Sequence, residues 1–133
     1  LEQARDSERP VLAGPVQLVQ GGRGLIYRRP VFLTGHKGVR MYWGNVSIVA
    51  DIDRLLREAG LSQDISFDLA LRGGDGHGAS GAVIWGEPHL FSAQAVTLNV
   101  DVPGGTWQLA ATPRGGWPPE AQPLERAASI RKR

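Results

Sequence analysis

Cysteine is absent from the 133 residues, which removes disulfides and thiolate zinc sites and leaves the redox compartment open. Lysine is scarce: of 15 basic residues only Lys37 and Lys132 are lysines, so a pI near 9.5 is an arginine property. The formal charge is only +2. The arginines are dispersed, except for Arg28-Arg29 and the terminal Arg131-Lys132-Arg133. A nucleic-acid footprint needs a clustered basic stripe with interleaved aromatics, and none is present, so no nucleic-acid partner is expected. No apolar run approaches the roughly 20 residues that span a bilayer. A start at Leu1 rather than Met, with no leader sequence, reads as an excised fragment.

The equipment of catalysis is missing as well. His36, His77 and His89 are far apart, and none stands three or four residues from another, so metal-ligand spacing is lacking. There is no G-x-S-x-G elbow. Asp64, Asp68 and Asp75 form no paired-carboxylate pattern. Asp51-x-Asp53 suits the start of a helix, where negative charge meets the helix dipole, better than a divalent cation, because no oxygen-rich loop follows it. The chain therefore reads as a domain with no catalytic residues, metal or cofactor.

What is abundant is glycine, with 18 residues. The stretch LRGGDGHGASGAVIWG, Leu71 to Gly86, contains Gly76, Gly78 and Gly81 in the spacing G-x-G-x-x-G. A phosphate-binding turn needs a strand entering and a helix leaving, so that free N–H groups and the dipole meet the anion. The strand is there, in Phe67–Leu71. The helix is not: Ala82-Val83-Ile84-Trp85 is β-branched and aromatic, and Gly86 and Pro88 follow. The stretch predicts an antiparallel connection between Phe67–Leu71 and Ala82–Trp85, tightly turned at Gly73-Gly74-Asp75-Gly76.

Residues 1–9 read as the end of a helix stopped by Pro10. Strands are predicted at Pro15–Gln20, Leu25–Phe32 and Met41–Asp51. A helix capped by Asp51 or Asp53 follows, with Leu55, Leu56 and Ala59 as its apolar face and Gly60 closing it. Ala95–Val102 and Thr106–Thr112 form a second hairpin across Pro103-Gly104-Gly105. After Pro113 the chain is proline-rich, and Leu124–Arg133 restarts a helix. The fold class is α+β: antiparallel sheets with short helices, joined mostly by hairpins. Trp43, Trp85, Trp107 and Trp117 are expected to anchor core edges, with the lining of a largely apolar ligand pocket as the alternative.

In order along the chain, ARDSERPVLAGPVQLVQGGRGLIYRRPVF, GNVSIVADIDRLL, DLALRGGDGHGASGAVIWG and GGTWQLAATPRGGW resemble the CHASE family. CHASE names an extracytoplasmic sensor domain of histidine kinases, diguanylate cyclases and phosphodiesterases; the plant cytokinin receptors carry it. The opening is the most telling part: Ala4-Arg5-Asp6-Ser7, Val11-Leu12, Pro15, Gly24-Leu25 and Pro30-Val31. The likeness runs from about Ala4 to Trp117.

The resemblance implies a long helix followed by two PAS-like modules in a membrane-anchored receptor, on the periplasmic or extracellular side. Residues 1–10 would end the helix, 11–52 would be the last strands of the distal module, 53–117 the proximal module, and 118–133 a stem toward the membrane. That topology puts Arg131-Lys132-Arg133 on the outer side, against the positive-inside tendency. The family's pocket aspartate would fall before Leu1. A first-strand leucine that offers its backbone to the ligand matches Val19. A pocket threonine matches Arg28, and that change argues against cytokinin and for an anionic ligand, since guanidinium pairs with carboxylate or phosphate. The candidate ligand-binding set is Val19 and Ile26 as walls, Arg28 as the anion-pairing residue, and Asn45 and Ser47 as hydrogen-bond partners. Strand alternation predicts Ile26, Arg28, Pro30 and Phe32 on one face, and on the next strand Trp43, Asn45, Ser47 and Val49 apart from a packing set of Tyr42, Val46, Ile48 and Ala50. The expected partners are a small-molecule ligand and a homodimer mate. The competing expectation is a structural stem that dimerises through an exposed apolar face and binds no ligand.

Overall fold

The computed structural model describes residues 2–63, 66–92 and 94–119. The expected Leu124–Arg133 helix, the terminal basic run, Asp64 and most of the proline-rich stem lie outside the described residues. Among the described residues there are seven strands in two antiparallel sheets, and the fold is α+β. The first sheet has the order β1-β2-β3, from Val11–Gln17, Arg23–Thr34 and Arg40–Asp51. The second has the order β5-β4-β7-β6, from Val83–Gly86, Phe67–Arg72, Gly105–Pro113 and Val96–Val102. Helix α1 is Glu2–Ser7, and α2, Ile52–Glu58, joins the sheets. The arrangement is compatible with a PAS-like fold.

One core spans both sheets. Leu25 of β2 meets Ile52 and Leu56 of α2, Leu71 of β4, Ile84 of β5 and Trp107 of β7, all buried. On the reverse face of the second sheet, Ala70 and Ala110 pack under Leu90. The α2 stripe differs from the expectation. Ile52 and Leu56, four apart, are the buried pair, while Leu55 is 41% exposed. The cap is Asp51, whose carboxylate accepts the Arg54 amide at 3.1 Å. That start places Ile52 at the first helical position and turns it inward.

β1 begins at Val11, earlier than expected, and stops at Gln17. Its ladder with β2 skips between Ala13 and Val16. Pro15 sits in that gap, where it withholds no ladder bond. The amide of Gly14 donates instead to the Asp75 carboxylate at 2.8 Å. That bond ties the first sheet to the glycine-rich loop of the second. Leu12 N–H donating to Pro103 O at 2.8 Å and Arg23 donating to Ile84 O at 2.6 Å are two more ties.

The glycine-rich stretch joins antiparallel β4 and β5, as its missing exit helix requires. The connection is longer than a tight turn. It occupies residues 73–82 and contains two single 3-10 turns, Gly74–Gly76 and Gly78–Ser80. Its glycines serve close backbone approach. A Cβ on Gly81 would stand 2.6 Å from Gly73 Cα, and one on Gly76 3.1 Å from Gly105 Cα. The loop lies flat on the start of β7, with no room for a side chain beneath it. The second hairpin forms as expected: Val102 pairs with Gly105 across Pro103-Gly104, and Gly104 takes the positive φ that a Pro-Gly type II turn demands.

Candidate functional site

Four of the five candidate ligand residues share one face of the first sheet. The ladder pairs Ile26 with Val49, Arg28 with Ser47, and Pro30 with Asn45. Side chains directly opposite in a ladder lie on the same face, and diagonal neighbours are roughly 7–8 Å apart. Ile26, Arg28, Asn45 and Ser47 are therefore one contiguous strip. Val11 of β1, opposite Arg28 on the other side, closes it and is buried beside Gly104.

Val19 does not belong to the strip. It lies past the end of β1, in a turn closed by Gly21 N–H to Leu18 O at 3.1 Å and Leu18 N–H to Gly22 O at 2.9 Å, and it is fully exposed. The strand predicted for Pro15–Gln20 ends before Val19, because Gly21 and Gly22 take positive φ and turn the chain into β2.

The face assignment on β3 is corrected by a bulge. Val31 pairs with Gly44, but Phe32 pairs with Tyr42, so Trp43 is an extra residue. One added residue reverses the alternation beyond it. Tyr42 thus joins the face of Asn45 and Ser47, and its hydroxyl accepts from Asn45 Nδ2 at 2.8 Å. Trp43, expected at a core edge, is 66% exposed. Val46 and Ile48, expected to pack, are 52% and 59% exposed: they stand on an edge strand, opposite Arg29 and Tyr27, and outside the shared core.

Helix α1 covers the upper end of the strip. Ala4 is buried, Arg5 stands 5.9 Å from the Tyr42 ring centroid, and Phe32 and Tyr42 meet edge to face at 5.7 Å. Arg40 lies over Phe32 at 4.2 Å and pairs with Glu8 at 2.7 Å. Below this lid, two polar groups are left over. Asn45 Oδ1 is fully buried and has no hydrogen-bond partner among the described residues. Arg28, half-buried, has no ion pair or hydrogen bond among the described residues. Every other arginine in the first sheet except Arg29, which is exposed, has a described partner. The strip can offer a guanidinium, a hydroxyl from Ser47 and an amide oxygen to a polar molecule.

Sequence reasoning missed the bulge, and with it Tyr42. The clue was Trp43-Gly44, a bulky residue beside a glycine in mid-strand.

The CHASE family model matches residues 1–85, more than half of the chain, and the chain belongs to that family. CHASE domains are extracytoplasmic sensor modules of membrane signalling receptors and are not catalytic. Comparisons with curated proteins and with solved structures returned no match. Among the described residues, no helix is long and apolar enough to cross a membrane.

Proposed function

We propose that the chain binds a small anionic molecule on the Arg28 strip and relays its presence to the output domain of a histidine kinase or diguanylate cyclase/phosphodiesterase. In this reading β1–β3 close the distal PAS-like module, residues 53–117 form the proximal one, and 118–133 lead toward the membrane. The observation that carries it is a pair of polar groups with no partner among the described residues: a half-buried guanidinium and a buried amide oxygen on one face. Buried polar atoms in folded proteins are nearly always partnered, so the unanswered Asn45 oxygen, diagonal to Arg28 in the ladder, supports a ligand on this face. Arg28 supplies the charge, Ser47 an additional hydrogen bond and Ile26 an apolar wall. The relay runs through the shared core, because Leu25, on the same strand as Arg28, packs directly on α2 and the second sheet.

The test is a thermal-shift and calorimetric screen of small carboxylates and phosphates on this chain and on the parent receptor. Arg28→Ala should weaken a binder by about 1.5–3 kcal/mol, the scale of a hydrogen bond to a charged group. Unchanged affinity removes Arg28 from the site.

One observation favours a second reading, the dimerising stem. Val46 and Ile48 form an exposed apolar pair on an edge strand, as a self-association face would. Sedimentation separates the two readings: a ligand sensor responds to its anion, whereas a stem responds only to protein concentration.

A further inference from the structure

The second sheet carries a cavity of its own, and its origin is a mismatch between two ladders. The β4–β7 ladder runs down to Phe67–Pro113, but the β4–β5 ladder stops at Ala70–Gly86. Gly86, at φ +85°, turns the chain away there, and a Cβ on it would collide with the Leu69 carbonyl oxygen and stand 2.7 Å from Ala70 Cα. The departure of β5 opens a notch of about 300 Å³ beside Asp68 and Leu69. That volume is at the small end of ligand pockets.

The lining is mixed in a specific way. Leu69, Leu90 and Trp85 make an apolar floor. Arg114 reaches in from beyond β7, with its Nε 3.5 Å from Asp68. Glu87 stands on the rim, its carboxylate 3.8 Å from His89. A plain anion entering this notch meets two carboxylates. A plain cation meets the guanidinium. Only a molecule that carries both charges on a short apolar body complements the whole lining. The Asp68–Arg114 pair is solvent-exposed and 3.5 Å long, and a guanidinium carries five N–H donors, so a ligand carboxylate can share it with the partners it already has.

We infer that this notch is a second ligand site, for a zwitterion of the free α-amino acid class with an apolar side chain. The ligand carboxylate pairs with Arg114, its ammonium with Glu87, and its side chain lies on Trp85 and Leu90. The site is independent of the Arg28 strip.

The test uses the 133-residue chain carrying Arg28→Ala, so that the first-sheet strip takes up no carboxylate, and three probes. L-leucine carries both charges, 4-methylpentanoate lacks the ammonium, and 3-methylbutylamine lacks the carboxylate. Calorimetry should show L-leucine binding at least tenfold tighter than either half-probe. In that background Arg114→Gln and Glu87→Gln should each weaken L-leucine at least tenfold. No binding of L-leucine, equal binding of a half-probe, or indifference to both substitutions overturns the inference. Loss of L-leucine binding in Arg28→Ala assigns it to the other strip and overturns it too.

Discussion

Asp75 should hold the two sheets together through one hydrogen bond, and its contribution can be separated into two parts. Its carboxylate accepts the Gly14 amide at 2.8 Å across 61 positions of sequence. Its backbone is left-handed, at φ 56°. The acceptor is a carboxylate at a partly buried site, so its loss should cost about 1.5 kcal/mol, the low end for a hydrogen bond to such a group. Alanine in the left-handed region adds roughly 1 kcal/mol, which glycine escapes and asparagine tolerates. Asp75→Ala should therefore lose about 2.5 kcal/mol, Asp75→Gly about 1.5, and Asp75→Asn under about 1, because its amide oxygen still accepts. At about 2.1 cal/mol/K per residue, unfolding entropy is about 0.28 kcal/mol/K for 133 residues, so the expected Tm losses are about 9, 5 and under 4 °C. Calorimetric melting measures the order. Amide exchange at Gly14 adds a local readout and should accelerate in the alanine and glycine variants, yet stay protected in the asparagine variant. Glycine equal to or worse than alanine would refute the backbone part. A glycine loss under about 2 °C would refute the hydrogen bond.

Gly86→Ala should lower stability by about 3 kcal/mol or more in denaturant unfolding, because positive φ and a collision with β4 backbone act together. Ile52→Ala removes a fully buried side chain from the core between the sheets and should cost about 2–5 kcal/mol in the same assay. Val46→Lys with Ile48→Lys places two charges on an exposed edge strand, and should reduce concentration-dependent association in sedimentation without lowering Tm by more than a few degrees.

The parts legible in the sequence were those fixed by local chemistry. Gly60, Gly104 and Pro103 end or turn elements for reasons internal to a few residues, and the structure uses each of them accordingly. The absence of an exit helix after the glycine-rich stretch was legible for the same reason. What was not legible depended on which neighbour a residue meets. Leu55 and Leu56 are identical in kind, and only the position of the second sheet decides that Leu56 is buried. Val46 and Ile48 look like core residues in any strand pattern, but they stand on an edge. The Trp43 bulge is a relation between two strands, since it exists only as a mismatch with β2. A bulge of that kind decides the site itself. It brings Tyr42 onto the face of Asn45 and fixes the Asn45 amide nitrogen on the tyrosine hydroxyl, which leaves the amide oxygen buried and unanswered. Had the strands paired without the extra residue, Tyr42 would face away and its hydroxyl would not hold the Asn45 amide. The unanswered oxygen beside Arg28 is thus a product of register.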